Sequence, residues 1–102
     1  MPKFQITFLT PAWRDLDQIS DLHLMLAGPQ SAEKITDQLL ETIGLLAEYP
    51  YMGAVHPDPV LSQNQFRKVI CGNYVCVYKV INDTVYIYRI VDGRTDYPKL
   101  LQ

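Results

Sequence analysis

The last third of the chain constrains the fold most, because it has the pattern of consecutive β-strands with almost no room between them. The runs QFRKVIC, YVCVYKVI and TVYIYRIV are rich in β-branched and aromatic residues, and only Gly72-Asn73 and Asn82-Asp83 separate them. Two-residue connections made of residues that tolerate positive φ favour hairpins. The sequence therefore predicts a three-stranded antiparallel meander over residues 65–91.

The second hairpin also predicts which side chains share a face of the sheet. A two-residue turn at Asn82-Asp83 sets Val80 opposite Val85. The face expected to cover helices then holds Cys76, Tyr78, Ile87 and Val91, and the other face holds Lys79, Thr84, Tyr86 and Tyr88. The register across Gly72-Asn73 stays open, because one extra loop residue would move Arg67 to the other face.

The first thirty residues predict a strand followed by a helix. Apolar and polar residues alternate over Lys3–Leu9, which indicates a half-buried strand. Thr10 is the predicted N-cap, Pro11 fits the first helical position, and Gly28-Pro29 predicts the helix end. The apolar stripe expected to face the core is Ala12, Leu16, Ile19, His23 and Leu26.

A second helix is predicted from a cap at Ser31 to Tyr49, since the residue before Pro50 is disfavoured in the α region. Its buried line is Ala32, Ile35, Leu39, Ile43 and Leu46. The short connection predicts an antiparallel helix hairpin, and Ala54–Asn64 is interpreted as a loop. The predicted fold is α+β: an N-terminal strand, a helix hairpin and the meander, forming a single domain over residues 1–102.

Charge is divided unevenly along the chain. Residues 1–64 hold three Lys or Arg against eight Asp or Glu, whereas residues 65–102 hold six against three. With a net charge of −2, the chain would gain little binding free energy from counterion release on a phosphate-rich partner. The basic half could still bind phosphate or an acidic protein segment. Cys71 and Cys76 are expected to be buried free thiols in the cytoplasm, because no secretory or membrane-length apolar run accompanies them.

Three strings, taken in order, resemble the RelE/ParE superfamily of bacterial type II toxins: YPYMG, FRKVICGNYVCVYKV and YRIVDGRTDYPKLL. The last two are more similar to the ParE-like branch. The resemblance implies a toxin neutralised by a cognate antitoxin, whose C-terminal segment folds on binding. It implies DNA gyrase as the target or, alternatively, the ribosome with its mRNA. It involves no membrane, and it leaves a homodimer or a toxin–antitoxin heterotetramer as the assembly.

In ribosome-dependent nucleases of this superfamily, a basic cluster and an aromatic residue act on the mRNA. By resemblance, Arg67 and Arg94 match basic members of that cluster and Tyr97 is the candidate aromatic. Val69 and Val75 stand where the nuclease pattern has cations, which favours gyrase inhibition by binding over a metal-independent endoribonuclease. An inactive homologue retained as an antitoxin-binding module is the third alternative.

The candidate residues for binding a target or antitoxin are Arg67, Lys68, Lys79, Arg89, Arg94 and Tyr97. Arg94 follows Gly93 in a loop-like exit, whereas Arg89 is equally explained as part of a structural network. Ordinary structural roles are preferred for His23 at the edge of the core, His56 in a loop and Trp13 as a packing residue. The sequence contains no pattern for a metal site or a cofactor.

Overall fold

The structure, a computed structural model, describes residues 3–101. The elements in chain order are β1 (Gln5–Phe8), α1 (Thr10–Ala27), α2 (Pro29–Gly44), β2 (Ala54–Val55), α3 (Pro59–Gln63), β3 (Arg67–Cys71), β4 (Tyr74–Ile81) and β5 (Thr84–Asp92). Short 3₁₀ turns cover Leu45–Ala47 and Pro98–Leu101. The predicted strand, helix hairpin and meander are confirmed, but α2 ends at Gly44 and not at the predicted Tyr49, because its last turn tightens into the 3₁₀ turn.

The five strands form one mixed sheet in the order β1-β5-β4-β3-β2. The meander β3-β4-β5 is antiparallel, while β1 lies parallel to β5 with Gln5 opposite Thr84. The parallel pair is possible because the α1–α2 hairpin and the elements from β2 to β4 lie between β1 and β5 in the chain. The first strand of the chain is therefore an edge strand of the sheet, and its neighbour is the last strand, β5.

Both predicted two-residue connections are present. Cys71 pairs with Tyr74 across the first, and φ is +59° at Gly72. Asn82 has a φ of +54° in the second, where Val80 pairs with Val85 as predicted. These are the left-handed conformations that glycine and asparagine accept most readily.

A β-bulge changes the predicted face of the last residues of β5. Val77 pairs with Arg89 but Tyr78 pairs with Ile87, so Tyr88 is an extra residue in β5. After the bulge Ile90, opposite Cys76, joins the core under the helices, and Val91 packs on the other face. The prediction that Val91 shares the helix-covered face is therefore wrong, because the bulge shifts the alternation by one residue.

The helix hairpin is tighter than predicted. Gly28, with a φ of +92°, is the one residue between α1 and α2, and α2 begins at Pro29. The predicted cap at Ser31 is wrong because this residue already lies in the first turn of α2. The predicted cap at Thr10 is also wrong, since α1 begins at Thr10 behind Leu9 and no side chain caps it.

The apolar stripe of α1 is only partly covered by the sheet. Ala12, Leu16 and Ile19 are buried in the core, and His23 is half-buried where its Nε2 contacts the Tyr74 hydroxyl at 3.0 Å. Leu26 was predicted to be buried, but 74% of it is exposed. The prediction fails because the last turn of α1 extends past the sheet.

The other face of the sheet has an apolar cluster of its own. The segment Ala54–Asn64, predicted to be a loop, contains the edge strand β2 and the helix α3. The prediction is wrong because neither element is long enough to show a periodic pattern. We call the following residues the second apolar cluster: Leu61, Phe66, Val75, Val77, Val91 and Tyr97, with Tyr88 and Leu101 packed against them.

Candidate target- and partner-binding surface

Arg94 lies just beyond β5, with 73% of its side chain exposed. Asp92 holds it in place: its carboxylate accepts from Arg94 Nε at 2.9 Å and Nη2 at 2.6 Å, and from the Arg94 backbone N–H. These hydrogen bonds lower the pKa of Asp92 to about 2. The guanidinium is thus oriented by its neighbour while Nη1 and the outer edge stay open to solvent, which fits a role in binding.

Arg89 has a different environment from Arg94. Its Nε and Nη2 donate to the two carboxylate oxygens of Asp15 at 2.7 and 2.9 Å, and the Ile90 backbone N–H donates to Asp15 as well. Asp15 is a buried residue of α1, and its hydrogen bonding raises the pKa of Arg89. The bulge in β5 presents Arg89 and the Ile90 N–H to one carboxylate. The pair therefore joins α1 to the sheet, which supports the structural alternative for Arg89.

Arg67 holds the loop before β2 on the sheet. Its Nη1 donates to the Gly53 carbonyl at 2.8 Å, and its guanidinium lies 5.1 Å from the centre of the Tyr51 ring. The same loop is fixed by Tyr78, whose hydroxyl donates to the Pro50 carbonyl and accepts from the Gly53 N–H. A Cβ at Gly53 would lie 2.5 Å from the Lys68 carbonyl oxygen, so this close approach requires glycine.

Lys79 and Lys68 lie on the other face of the sheet from Arg67. Lys79 Nζ is 4.3 Å from the centre of the Phe66 ring and 5.5 Å from that of Tyr88, in cation–π geometry. Lys68 pairs with Val77 on β4 and is half-buried. The Lys79 ammonium group therefore lies over the edge of the second apolar cluster and is available to a partner only in part.

Tyr97 is buried, although the resemblance made it a candidate for contact with a target. Its hydroxyl is 2.7 Å from His56 Nε2, and its ring packs in the second apolar cluster. Burial raises the pKa of Tyr97. His56, predicted to be an ordinary loop histidine, is buried and makes hydrogen bonds through both ring nitrogens. Nothing in the sequence near His56 indicates this contact, because its partner lies 41 residues away.

The three candidate catalytic residues do not converge. Arg67 lies opposite Tyr78, on the helix-covered face, whereas Tyr97 packs on the other face. Arg94 lies near Tyr74. Tyr74 and Tyr78, the neighbour of Arg67, are four residues apart on β4, a distance of about 13 Å along the strand.

The two valines that replace expected cations also lie apart. Val69 packs against the helix-covered core and Val75 in the second apolar cluster. Cations at these two positions would therefore project from opposite faces of the sheet.

An exposed apolar surface on α1 was not predicted as a binding feature. Leu22, Met25 and Leu26 form an exposed strip along the last two turns of the helix, which we call the α1 strip. It continues from a cavity of about 280 Å³ between α1 and the end of β5, whose lining includes Ile19, Leu22, Tyr74, Asp92 and Thr95. The sequence signal was the apolar stripe of α1, which is longer than the sheet can cover.

Two further features bear on the class of protein. Within residues 3–101, none of the helices combines the length and apolar character of a membrane span. Across the same described residues, no group of three or more His, Cys, Asp or Glu side chains could hold a metal ion.

The sequence matches the family of the ParE toxin of type II toxin-antitoxin system, parDE, over residues 6–97. The chain therefore belongs to the ParE toxin family, and it is a ParE-like toxin of a type II toxin–antitoxin system. No curated protein sequence matches it significantly.

Two solved structures have a similar fold. A chain of the chromosomal ParDE system from P. aeruginosa is 24% identical with a TM-score of 0.76, covering 88% of this chain and 96% of that one. A chain of the toxin–antitoxin complex RelBE2 from Mycobacterium tuberculosis is 21% identical with a TM-score of 0.62, covering 90% and 93%. At 24% and 21% identity, the similarity to these two structures shows a shared fold and nothing further.

Proposed function

We propose that this toxin acts by binding and inhibiting DNA gyrase in the cytoplasm, as a single domain, and does not cleave RNA. One observation carries the choice: Arg67 lies on the helix-covered face and Tyr97 is buried on the other face, so these two candidate catalytic residues do not meet around one phosphate. RNA cleavage through the 2′-hydroxyl needs such groups within hydrogen-bond reach of one site. Binding to a protein requires only an accessible surface, and Arg94 supplies its charged contact.

The charge balance supports the same choice. Ribosome binding gains its free energy largely from many Lys and Arg contacts with phosphate. Here Arg67 and Arg89 are already bonded within the protein, and Lys79 is held against two aromatic rings. Arg94 and Lys99 are the exposed cations near the end of the described chain, and each is paired with an aspartate. This is a small basic surface for a ribosome-binding nuclease.

Purified toxin tests the proposal with two assays on the same preparation. We expect it to reduce supercoiling by gyrase, or to trap cleaved DNA, and to leave ribosome-bound mRNA intact. Arg94→Ala should weaken the gyrase effect at least tenfold, about 1.4 kcal/mol of binding free energy, because it removes an exposed charged contact. Lys99→Ala is the matched control, since Lys99 is equally exposed and pairs only with Asp96.

Codon-specific cuts in mRNA, with gyrase unaffected, would instead establish the endoribonuclease. Equal loss in the Arg94 and Lys99 variants would remove Arg94 from the binding surface. Growth provides the third arm: induced expression should slow bacterial growth, and co-expression of the adjacent antitoxin gene should restore it. Normal growth with confirmed expression of the folded protein would mean an inactive module that only binds its antitoxin.

The C-terminal segment of the antitoxin is proposed to cover the α1 strip and the adjoining cavity. Exposed large apolar side chains in a contiguous row indicate a protein interface. The strip and cavity extend from Asp15 to Leu26, about 16 Å along the helix, which suits two to three turns of an amphipathic helix. Arg94 lies at the cavity end, so an acidic residue beside the apolar anchors would complement it.

Substitutions on opposite sides of α1 test this surface. Leu26→Ser should weaken antitoxin binding by tenfold or more with little change in melting temperature, because Leu26 is already exposed. Leu24→Ser is the control: Leu24 is 48% exposed but lies about 200° around the helix from Leu26. Equal affinities for the two variants would place the antitoxin elsewhere. The mass of the complex would decide between a homodimer and a toxin–antitoxin heterotetramer.

A further inference from the structure

His56 is held in one tautomer by its two hydrogen bonds. The Asp58 backbone N–H donates to Nδ1 at 3.0 Å, so Nδ1 must carry a lone pair. The proton of the neutral ring is then on Nε2, which donates to the Tyr97 hydroxyl oxygen at 2.7 Å. The ring is 3% exposed. This arrangement accommodates the neutral imidazole and leaves no acceptor for a second proton.

The contact with His56 attaches the end of the described chain. Among residues 3–101, the His56–Tyr97 hydrogen bond is the one that joins residues 96–101 to the rest of the protein. The other bonds of this segment, Leu100 N–H to the Tyr97 carbonyl and Lys99 to Asp96, are internal. Tyr97 and Leu101 pack on the second apolar cluster. The attachment of the segment therefore depends on one hydrogen bond and two apolar side chains.

We propose that His56 is a protonation switch for the segment 96–101, which we call the C-terminal cover: the neutral ring holds it on the second apolar cluster, and the imidazolium releases it. A proton added to Nδ1 would face the Asp58 N–H, so two donors would point at each other and that hydrogen bond would be lost. The charge would also be buried beside the apolar cluster. The Nε2–H still donates to the Tyr97 hydroxyl in the imidazolium, but release of the C-terminal cover lets water reach the ring, which solvates the charge and gives the Nδ1–H an acceptor.

The groups that face His56 set the direction of the switch. Burial is the main cause that lowers the pKa of His56, the ammonium group of Lys68 on β3 lowers it further, and the carboxylate of Asp58 opposes them. Tyr97, from the C-terminal cover, stays a neutral phenol because burial raises its pKa. The net result is a pKa below the ordinary value of 6.5 while the cover is closed.

Acid pH should weaken the closure of the C-terminal cover. Above the ordinary histidine pKa both closed and open forms are neutral, and the cover is fully favoured. As the pH falls below 6.5, the open form takes up the proton first, so closure weakens by up to about tenfold per pH unit. The weakening ends once the pH passes the lowered pKa of the closed form, where both forms are protonated.

Hydrogen exchange of the full chain measures this directly. The reporter is the Leu100 amide, and amides of β4 serve as the internal reference. Between pH 8 and pH 5.5 we expect the protection factor of Leu100 to fall several-fold while those of β4 stay constant. His56→Gln should abolish the pH dependence. His23→Gln, which changes the other histidine and its contact with Tyr74, should preserve it.

Three results would overturn the proposal: a Leu100 protection factor that does not change with pH, the same slope in His56→Gln, or an equal loss in β4, which is global unfolding. If His56→Gln does not fold, NMR titration of the wild-type imidazole replaces it. The midpoint for His56 must then coincide with that of the Leu100 amide shift, and distinct midpoints would reject the switch. Neither experiment depends on the identity of the toxin's target.

Discussion

Two arginines in one short string show how different the roles of similar residues can be. Arg89 and Arg94 are five positions apart, but Arg89 is paired with a buried carboxylate and Arg94 with an exposed one. Sequence favoured Arg94 as the exposed binding residue and left Arg89 open. It could not identify Asp15 as the partner of Arg89, because the two residues of the ion pair are 74 positions apart.

The two arginines should differ in stability as well as in function. Arg94→Ala should change the free energy of unfolding by less than about 1 kcal/mol, as expected for an exposed ion pair. Arg89→Ala should cost roughly 1.5–3 kcal/mol, because it leaves the buried Asp15 carboxylate with only the Ile90 N–H. Denaturant unfolding of both variants measures the difference. Equal costs would contradict the structural role of Arg89.

At the scale of elements, the caps are the feature that sequence predicted least well. Serine and threonine residues preceding apolar runs suggested caps for α1 and α2, whereas the structure uses Leu9 and Gly28 there. The side chain that does cap a helix is Asp58, which accepts from Val60 N–H at 3.0 Å and Leu61 N–H at 3.1 Å. The Asp58 cap was missed because α3, with five residues, is too short to show the periodic apolar pattern of a helix.

Replacing Asp58 by alanine should therefore destabilise the protein more than replacing Thr10, although the sequence predicted a cap at Thr10 and none at Asp58. Asp58→Ala should cost about 1 kcal/mol, since it removes the acceptor for two backbone N–H groups at the start of α3. Thr10→Ala should be nearly neutral, because no side chain caps α1. Thermal melts of the two variants give the comparison. A larger loss for Thr10→Ala would show that the start of α1 is capped after all.

The meander illustrates what a local pattern can and cannot predict. Turn chemistry at Asn82-Asp83 predicted the pairing of Val80 with Val85, because both the turn and the strands are local. The bulge at Tyr88 was not predictable, since no glycine or proline marks it and its reason lies in the contact of Arg89 and Ile90 with α1. In the second hairpin the faces of the named residues before the bulge were predicted, whereas the face of Arg67 was left open and that of Val91, beyond the bulge, was predicted wrongly.

For the whole molecule, the order of elements was predictable and the covering of the sheet was not. The helix hairpin was expected on one face, but the second apolar cluster on the other face combines residues from α3, the meander and the C-terminal cover. Outside the meander, α3 and the C-terminal cover contribute only one and two apolar side chains, too few for a pattern. The α1 strip is exposed for a different reason: the apolar stripe of α1 is clear in the sequence, but it is longer than the part of the helix that the sheet covers.

The two thiols should report on local and global opening separately. Cys76 lies in the core and burial raises its pKa to about 12, whereas Cys71 is half-buried at the end of β3. Because alkylation requires an accessible thiolate, iodoacetamide at neutral pH should modify Cys71 first, and Cys76 only when the whole sheet opens. Mass spectrometry of timed samples distinguishes them. Modification of Cys76 at the rate of Cys71 would mean that β4 opens locally.

The parallel pair of β1 and β5 has a consequence in time. At about 5–20 residues per second, the ribosome adds Thr84 roughly 4–15 s after Phe8, so β1 waits for its neighbour while the helix hairpin is already made. Helices need only local contacts, but the pair of Gln5 with Thr84 closes a loop that spans most of the chain. For several seconds of its synthesis the toxin therefore has the sequence of β1 and of both helices but lacks β5, the strand with which β1 pairs.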